Sequence, residues 1–188
     1  MRLVLASGSP RRRAMMEAAG HAFRVVVTDA PEDVPPGTPP RQAAVDLARR
    51  KARAVPPGPE WVLAADTLLD LDGAVLGKPA DEEDARRILL RLQGRAHRVH
   101  TGVCVRDPAG REHADAETTT VELRPLAEED VRAYVATGEP MGKAGAYAIQ
   151  GQARRFIARI DGPEDNVIGL PMALVARLLR EAGYLTGS

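Results

Sequence analysis

The chain has 188 residues, a length suited to one domain spanning residues 1–188 with a sizeable core, and its 26 basic side chains balance 26 acidic ones. Zero net charge argues against a polybasic surface for nucleic acid or membrane, and 3% aromatic residues are too few for the stacking platforms that hold single strands. A lone cysteine, Cys104, rules out an internal disulfide and suits a reducing compartment.

Arg2 to Ala6 reads as a short buried strand, broken at once by Ser7-Gly8-Ser9-Pro10 and three Arg, so neither a leader nor a membrane span is expected and the default location is cytoplasmic. Ser9 followed by Pro10 reads as an N-cap with proline at the first helical position, opening a helix that runs to about Gly20. Phe23 to Val27 reads as a second strand. Residues 31 to 40 hold five Pro and one Gly and form a loop. Arg41 to Val55 shows helical spacing, with Lys51 on the face of Ala44, Leu47 and Ala48. Trp61 to Ala65 is an apolar run ending in Asp66, as expected for a central strand buried on both faces.

Asp72-Gly73 between Leu68–Leu71 and Ala74–Leu76 is a two-residue hairpin signal. Asp81 with Asp84 opens a helix whose apolar residues are Ala85, Ile88, Leu89 and Leu92, ended by Gly94. Val99 to Arg106 and Thr118 to Leu123 read as a second hairpin, with Thr119, Val121 and Leu123 on one face. Glu128 to Thr137 reads as a helix, Arg155 to Ile160 as a strand and Pro171 to Ala182 as the last helix. Strands and helices alternate except at the two hairpins, which predicts an α/β fold with a mixed sheet.

Only three of the 26 basic residues are Lys, at 51, 78 and 143, in a chain that otherwise writes positive charge as Arg. Three Arg in the first turn after Ser7-Gly8-Ser9 crowd the positive end of a helix, where each exposed cation costs roughly 0.3–1 kcal/mol. A bound phosphate reverses that sign; the alternative is a solvated basic turn. Asp66 suits metal binding or activation of water, or else caps a turn, and Gly77-Lys78-Pro79 follows the strand expected to pair beyond it. The Gly138 to Tyr147 stretch lacks the spacing and the Ser/Thr of a Walker loop, but it places Lys143 and leads to Gln150, whose amide can match a nucleobase edge. His97 and His100 fall on opposite faces of a strand and make a poor metal pair.

With these residues in view, the chain resembles the Maf family of nucleotide pyrophosphatases along nearly its whole length. The match is carried by Leu5-Ala6-Ser7-Gly8-Ser9-Pro10-Arg11-Arg12, by Ala64-Ala65-Asp66-Thr67 with Leu76-Gly77-Lys78-Pro79, by Lys143 to Gly151 and by Asn166-Val167-Ile168-Gly169-Leu170-Pro171. Glu32 and Lys51 match two further positions. The resemblance implies a mixed twisted sheet flanked by helices, of the inosine-triphosphatase (Maf/Ham1) type, often dimeric, with a cleft for a nucleoside triphosphate and a divalent cation, Mg or Mn. It implies hydrolysis of dTTP and UTP to monophosphate and pyrophosphate, rather than of 7-methyl-GTP. Asp66 would be the proton acceptor, with Lys78 beside it in catalysis and Glu32 sharing the metal. Ser7, Arg11, Arg12, Lys51, Thr67, Lys143 and Gln150 would bind substrate, Arg12, Thr67 and Gln150 tuning its choice. The chain departs from the family at Gly142, where Asp is usual. The rival expectations are a 7-methyl-GTP-type pyrophosphatase and a non-catalytic nucleotide-binding regulator of cell division.

Overall fold

In the computed structural model, which describes residues 2–184, the first apolar run becomes the fully buried strand β1 (Leu3–Leu5). It lies between β2 (Phe23–Val25) and β3 (Trp61–Leu71) and runs parallel to both. Beyond β3 the sheet is antiparallel. β4 (Ala74–Leu76) folds back on β3, and β5 (Ala96–Arg106), β6 (Glu112–Leu123) and β7 (Ile157–Asp161) follow in the order β2-β1-β3-β5-β6-β7. The expected hairpin turn is present, with Asp72 and Gly73 at φ 54° and 85°.

The helices are α1 (Pro10–Ala18), α2 (Pro40–Ala54), α3 (Glu82–Leu92), α4 (Glu128–Val135), α5 (Glu164–Ile168) and α6 (Met172–Glu181). The alternation of β1 and β3 sends Val4, Ala6, Val62 and Ala64 to the face covered by α2, where they meet Ala48 and Ala52. Leu3, Leu5, Leu63 and Ala65 point the other way and pack on α6 through Val175, Leu178 and Leu179. Farther along that face, Leu69, Val99, Val121 and Leu123 meet Leu89 and Leu92 of α3 and Tyr134 of α4. None of these helices is long and apolar enough to cross a membrane.

Gly102 sets how closely α2 lies. A Cβ there would stand 2.2 Å from the carbonyl oxygen of Ala44, so the helix backbone rests directly on the strand opposite Asp66. The edge of β3 is also interrupted. β1 pairs with Trp61–Leu63 and β4 with Leu69–Leu71, so among the described residues 64–68 has no strand partner on that edge. This notch holds Asp66 and Thr67.

Several expectations change. Arg155 and Phe156, expected in a strand, lie in a 3₁₀ turn (Gln152–Phe156), and the last strand starts at Ile157. The strands of the second hairpin start earlier than expected, at Ala96 and Glu112. Asp66 does not end its strand, because β5 pairs with it through Gly102 and carries β3 on to Leu71. β2 stops at Val25, and Val27 is 69% exposed. The five-residue α5, ended by Gly169 at φ 121°, was not anticipated, being too short to show periodicity.

Candidate active site

A cleft of about 930 Å³ opens at the notch, and Ser7, Arg11, Arg12, Glu32, Lys51, Asp66, Thr67, Lys78, Lys143 and Gln150 all line it. The residues singled out in the sequence therefore converge from separate elements. Asp66 projects from the α2 face of β3 and is only 7% exposed. Lys51, two turns along α2 from Ala44, donates from Nζ to Asp66 Oδ1 and to Glu32 Oε1, the latter at 2.7 Å. Lys78 reaches Glu32 Oε2 at 3.3 Å. The ammonium on Asp66 is thus that of Lys51, whereas Lys78 meets Glu32. The Lys51 hydrogen bond holds the Glu32 carboxyl below its ordinary range. Arg50 donates to the carbonyl of Asp33 at 2.7 Å, so the proline-rich loop is tied to α2 at adjacent positions.

The three arginines after the Ser-Gly-Ser turn part company. Arg13 pairs with Glu17 on the surface at 2.8 Å, as in a solvated basic turn, while Arg11 lines the cleft. Arg12 turns inward. Its Nε donates to the carbonyl of Gly169 at 2.8 Å, its Nη1 to Ser7 at 3.4 Å and its Nη2 to Thr67 at 3.0 Å. Burial lowers its pKa from the ordinary arginine value. Ser9 caps α1, accepting from the backbone N–H of Arg12. Behind Thr67 stand Thr101 and the fully buried Asn166. Neither was assigned a role from sequence, although Asn166 is the chain's only asparagine.

The opposite wall is the stretch from Gly142 to Gln150. Lys143 donates to the carbonyl of Glu139, and burial together with Arg11 lowers its pKa. The Glu139 carboxylate accepts from Tyr134 at 2.9 Å and from the backbone N–H of Gln152 at 3.0 Å, anchoring both ends of the wall. Tyr147 is fixed to the sheet by a 2.8 Å hydrogen bond with His97 Nε2. Both histidines are buried structural residues, His100 between Asp70 and Thr118. Gln150 is exposed at the cleft mouth.

For a metal, the cleft offers the carboxylates of Glu32 and Asp66, both bonded to Lys51. No group of three or more His, Cys, Asp or Glu among the described residues is disposed to hold an ion. Two hard oxygen donors suit a cation of the Mg²⁺ kind that takes its other ligands from phosphate and water.

A family model described as Maf-like protein matches residues 2–182. The dTTP/UTP pyrophosphatase of Anaeromyxobacter sp. (strain Fw109-5) is 52% identical over 187 residues, covering 97% of this chain and 90% of that one. That of Anaeromyxobacter dehalogenans (strain 2CP-C) is 52% identical over 186 residues, covering 97% and 95%. Among solved structures, the Staphylococcus aureus Ham1 protein aligns with a TM-score of 0.54 at 17% identity, over 96% of this chain and 100% of that one, and shows the same fold.

Proposed function

The chain belongs to the Maf family, and we propose on that footing that it is a nucleoside triphosphate pyrophosphatase, hydrolysing dTTP and UTP to the monophosphate and pyrophosphate. The observation that carries this reading is the gathering of Arg11, Arg12, Lys51, Lys78 and Lys143 around one buried aspartate in one cleft. Five cations suit a polyphosphate of three to four negative charges, and the aspartate suits a water beside it. The curated relatives named dTTP/UTP pyrophosphatase support the choice of nucleotide.

In this reading water attacks the α-phosphorus, its proton passes to Asp66, and the bond to the bridging oxygen of the β-phosphate breaks. Lys78, Lys143 and the arginines neutralise the charge that gathers on the departing pyrophosphate. Lys51 orients the Asp66 carboxylate. Glu32 and Asp66 would hold a divalent cation, Mg²⁺ or Mn²⁺, which when bound adds charge neutralisation at the phosphates.

The test is release of pyrophosphate from dTTP, UTP, CTP, GTP and 7-methyl-GTP, each with Mg²⁺, with Mn²⁺ and with chelator. Preferential cleavage of dTTP and UTP is expected. Tight binding of these nucleotides without pyrophosphate release would make the protein a nucleotide-binding regulator instead.

A further inference from the structure

The two edges of the sheet are finished differently. At one end β7 carries Arg159 and Asp161, both exposed, the kind of charged finish that keeps an unpaired strand from meeting another. At the other end β2 pairs only with β1 among the described residues, and its sequence runs on as Val25-Val26-Val27. Arg24, the only charged residue of β2, reaches across β1 to Glu60 at 3.0 Å and leaves this edge unguarded. The large apolar side chains left exposed among the described residues are those of Val25, at 39%, and Val27, at 69%. Backbone directions add to this. The N–H of Val26 donates to the carbonyl of Leu5 on β1 at 3.0 Å, and successive residues of an extended strand turn their N–H and C=O to opposite sides. Val26 thus faces β1, and the polar backbone groups of its neighbours Val25 and Val27 face outward. The sequence expects a strand to Val27, whereas β2 ends at Val25, so the valine run has strand character beyond the strand that β1 can pair.

We propose that a second copy of the chain docks on this edge, the two β2 strands pairing antiparallel about a twofold axis at Val25. An open strand edge is completed by another strand, and the residue pattern here matches itself on reversal. With Val25 opposite Val25, Phe23 of each copy meets Val27 of the other, so the apolar row Phe23-Val25-Val27 lies against its own reverse. All three residues turn their backbone groups outward, and each of these pairs can exchange two hydrogen bonds. Farther out the same register sets Asp29 opposite His21 of the second copy. Sliding one strand by two residues, in either direction, sets Asp29 against Phe23 or His21 against Val27 instead. The pairing joins the two sheets into one and covers Val25 and Val27 in both copies. A contact of three residue pairs is small for a specific interface, so the dimer forms and dissociates with protein concentration. Val27 also lines the cleft, and the pairing steadies the strand that leads into the loop of Glu32.

The test is sedimentation of the full chain over a wide range of concentration, alongside Val25→Lys, Val25→Glu and Val25→Cys. The unaltered protein should pass from monomer to dimer as concentration rises. Val25→Lys alone and Val25→Glu alone should lose the dimer, because like charges then face each other across the twofold axis, and an equimolar mixture of the two should regain it. Val25→Cys should form an intermolecular disulfide under mild oxidation, since paired residues of an antiparallel ladder lie about 5.5 Å apart at Cα, within reach of that bond, and Cys104 is buried. Amide exchange gives an independent measure: protection of the Val25 and Val27 N–H groups should rise with concentration, whereas Val26 is already bonded in the single chain. A protein that stays monomeric at every concentration would overturn the proposal. So would a dimer that survives both charged substitutions and leaves Val25→Cys uncrosslinked, since its interface would lie elsewhere. A mixture no better associated than either charged variant alone would remove the axis from Val25 and overturn it as well. If the charged variants do not fold, the disulfide and the amide exchange of the unaltered protein decide.

Discussion

Arg12 donates through Nε to the carbonyl of Gly169 at 2.8 Å, joining the first helix to a turn 157 positions later. From sequence, a cation at the positive end of a helix should repel, and its removal should relieve roughly 0.3–1 kcal/mol. The structure reverses that expectation, because the guanidinium also satisfies Ser7 and Thr67. Arg12→Ala should therefore destabilise the protein by about 1–3 kcal/mol and raise KM for triphosphates. Arg12→Lys restores charge without the fork and should recover only part of the stability. Urea denaturation checks this, and an Arg12→Ala protein as stable as its parent would show that the guanidinium does not join the two segments.

Asp66→Asn should fold normally, since an amide oxygen can still accept from Lys51, yet it has no basic oxygen to take a proton. Hydrolysis should fall by about 10²–10⁴. Near-normal pyrophosphate release with an unchanged melting curve would remove Asp66 from the role of proton acceptor.

Lys51 sits between the two carboxylates that would take a cation, so the ammonium and a metal compete for the same oxygens. Lys51→Met should bind Mn²⁺ more tightly in the absence of nucleotide, by roughly tenfold, because one nearby positive charge is gone. Titration of free Mn²⁺ by electron paramagnetic resonance measures this. Weaker Mn²⁺ binding would mean that Lys51 organises the carboxylates for the metal rather than competing with it.

Burial lowers the pKa of His97 from 6.5 to about 4. The unfolded chain therefore binds a proton at a pH where the folded protein does not, and stability rises with pH across that window. The His97 contribution is complete above about pH 6.5 and is lost as the pH falls toward 4, at up to about 1.4 kcal/mol per unit. His97→Gln should flatten the change in urea midpoint between pH 7 and pH 5. Because His97 holds Tyr147, the cleft wall should loosen in the same range. An identical pH slope in the variant would assign the acid sensitivity to other groups.

Gly142, where the resemblance to the family breaks, has φ 73° with nothing within 4 Å of a Cβ position. Gly142→Asp should fold at a cost of about 1 kcal/mol, since the backbone rather than space opposes it. A modest fall in KM with little change in metal affinity is expected if Asp mainly orients Lys143. A large gain in Mn²⁺ affinity would make the added carboxylate a ligand instead.

The site was legible because its chemistry is written in unusual residues. Three lysines in an arginine-rich chain and an aspartate closing an apolar run stand out without any fold, and all four line the cleft. Which cation meets Asp66 was not legible, because it depends on how α2 is seated on β5. The Thr67–Thr101–Asn166 chain was equally hidden, since it is made across three elements by residues ordinary in themselves. Strand lengths were underread for a related reason. Residues Glu112 to Glu117 look like loop, yet they pair with Thr101 to Arg106, and cross-strand pairing outweighs their weak β-propensity.

Gly102 confines change at the site to one direction. Because α2 already touches the strand backbone there, any side chain at this position can only push the helix outward, lifting Lys51 away from Asp66. Drift at a residue with no reactive group would thus be felt as an Asp66 without its ammonium partner, and a lineage that lost the glycine would have to restore the reach of Lys51 by changing the helix itself.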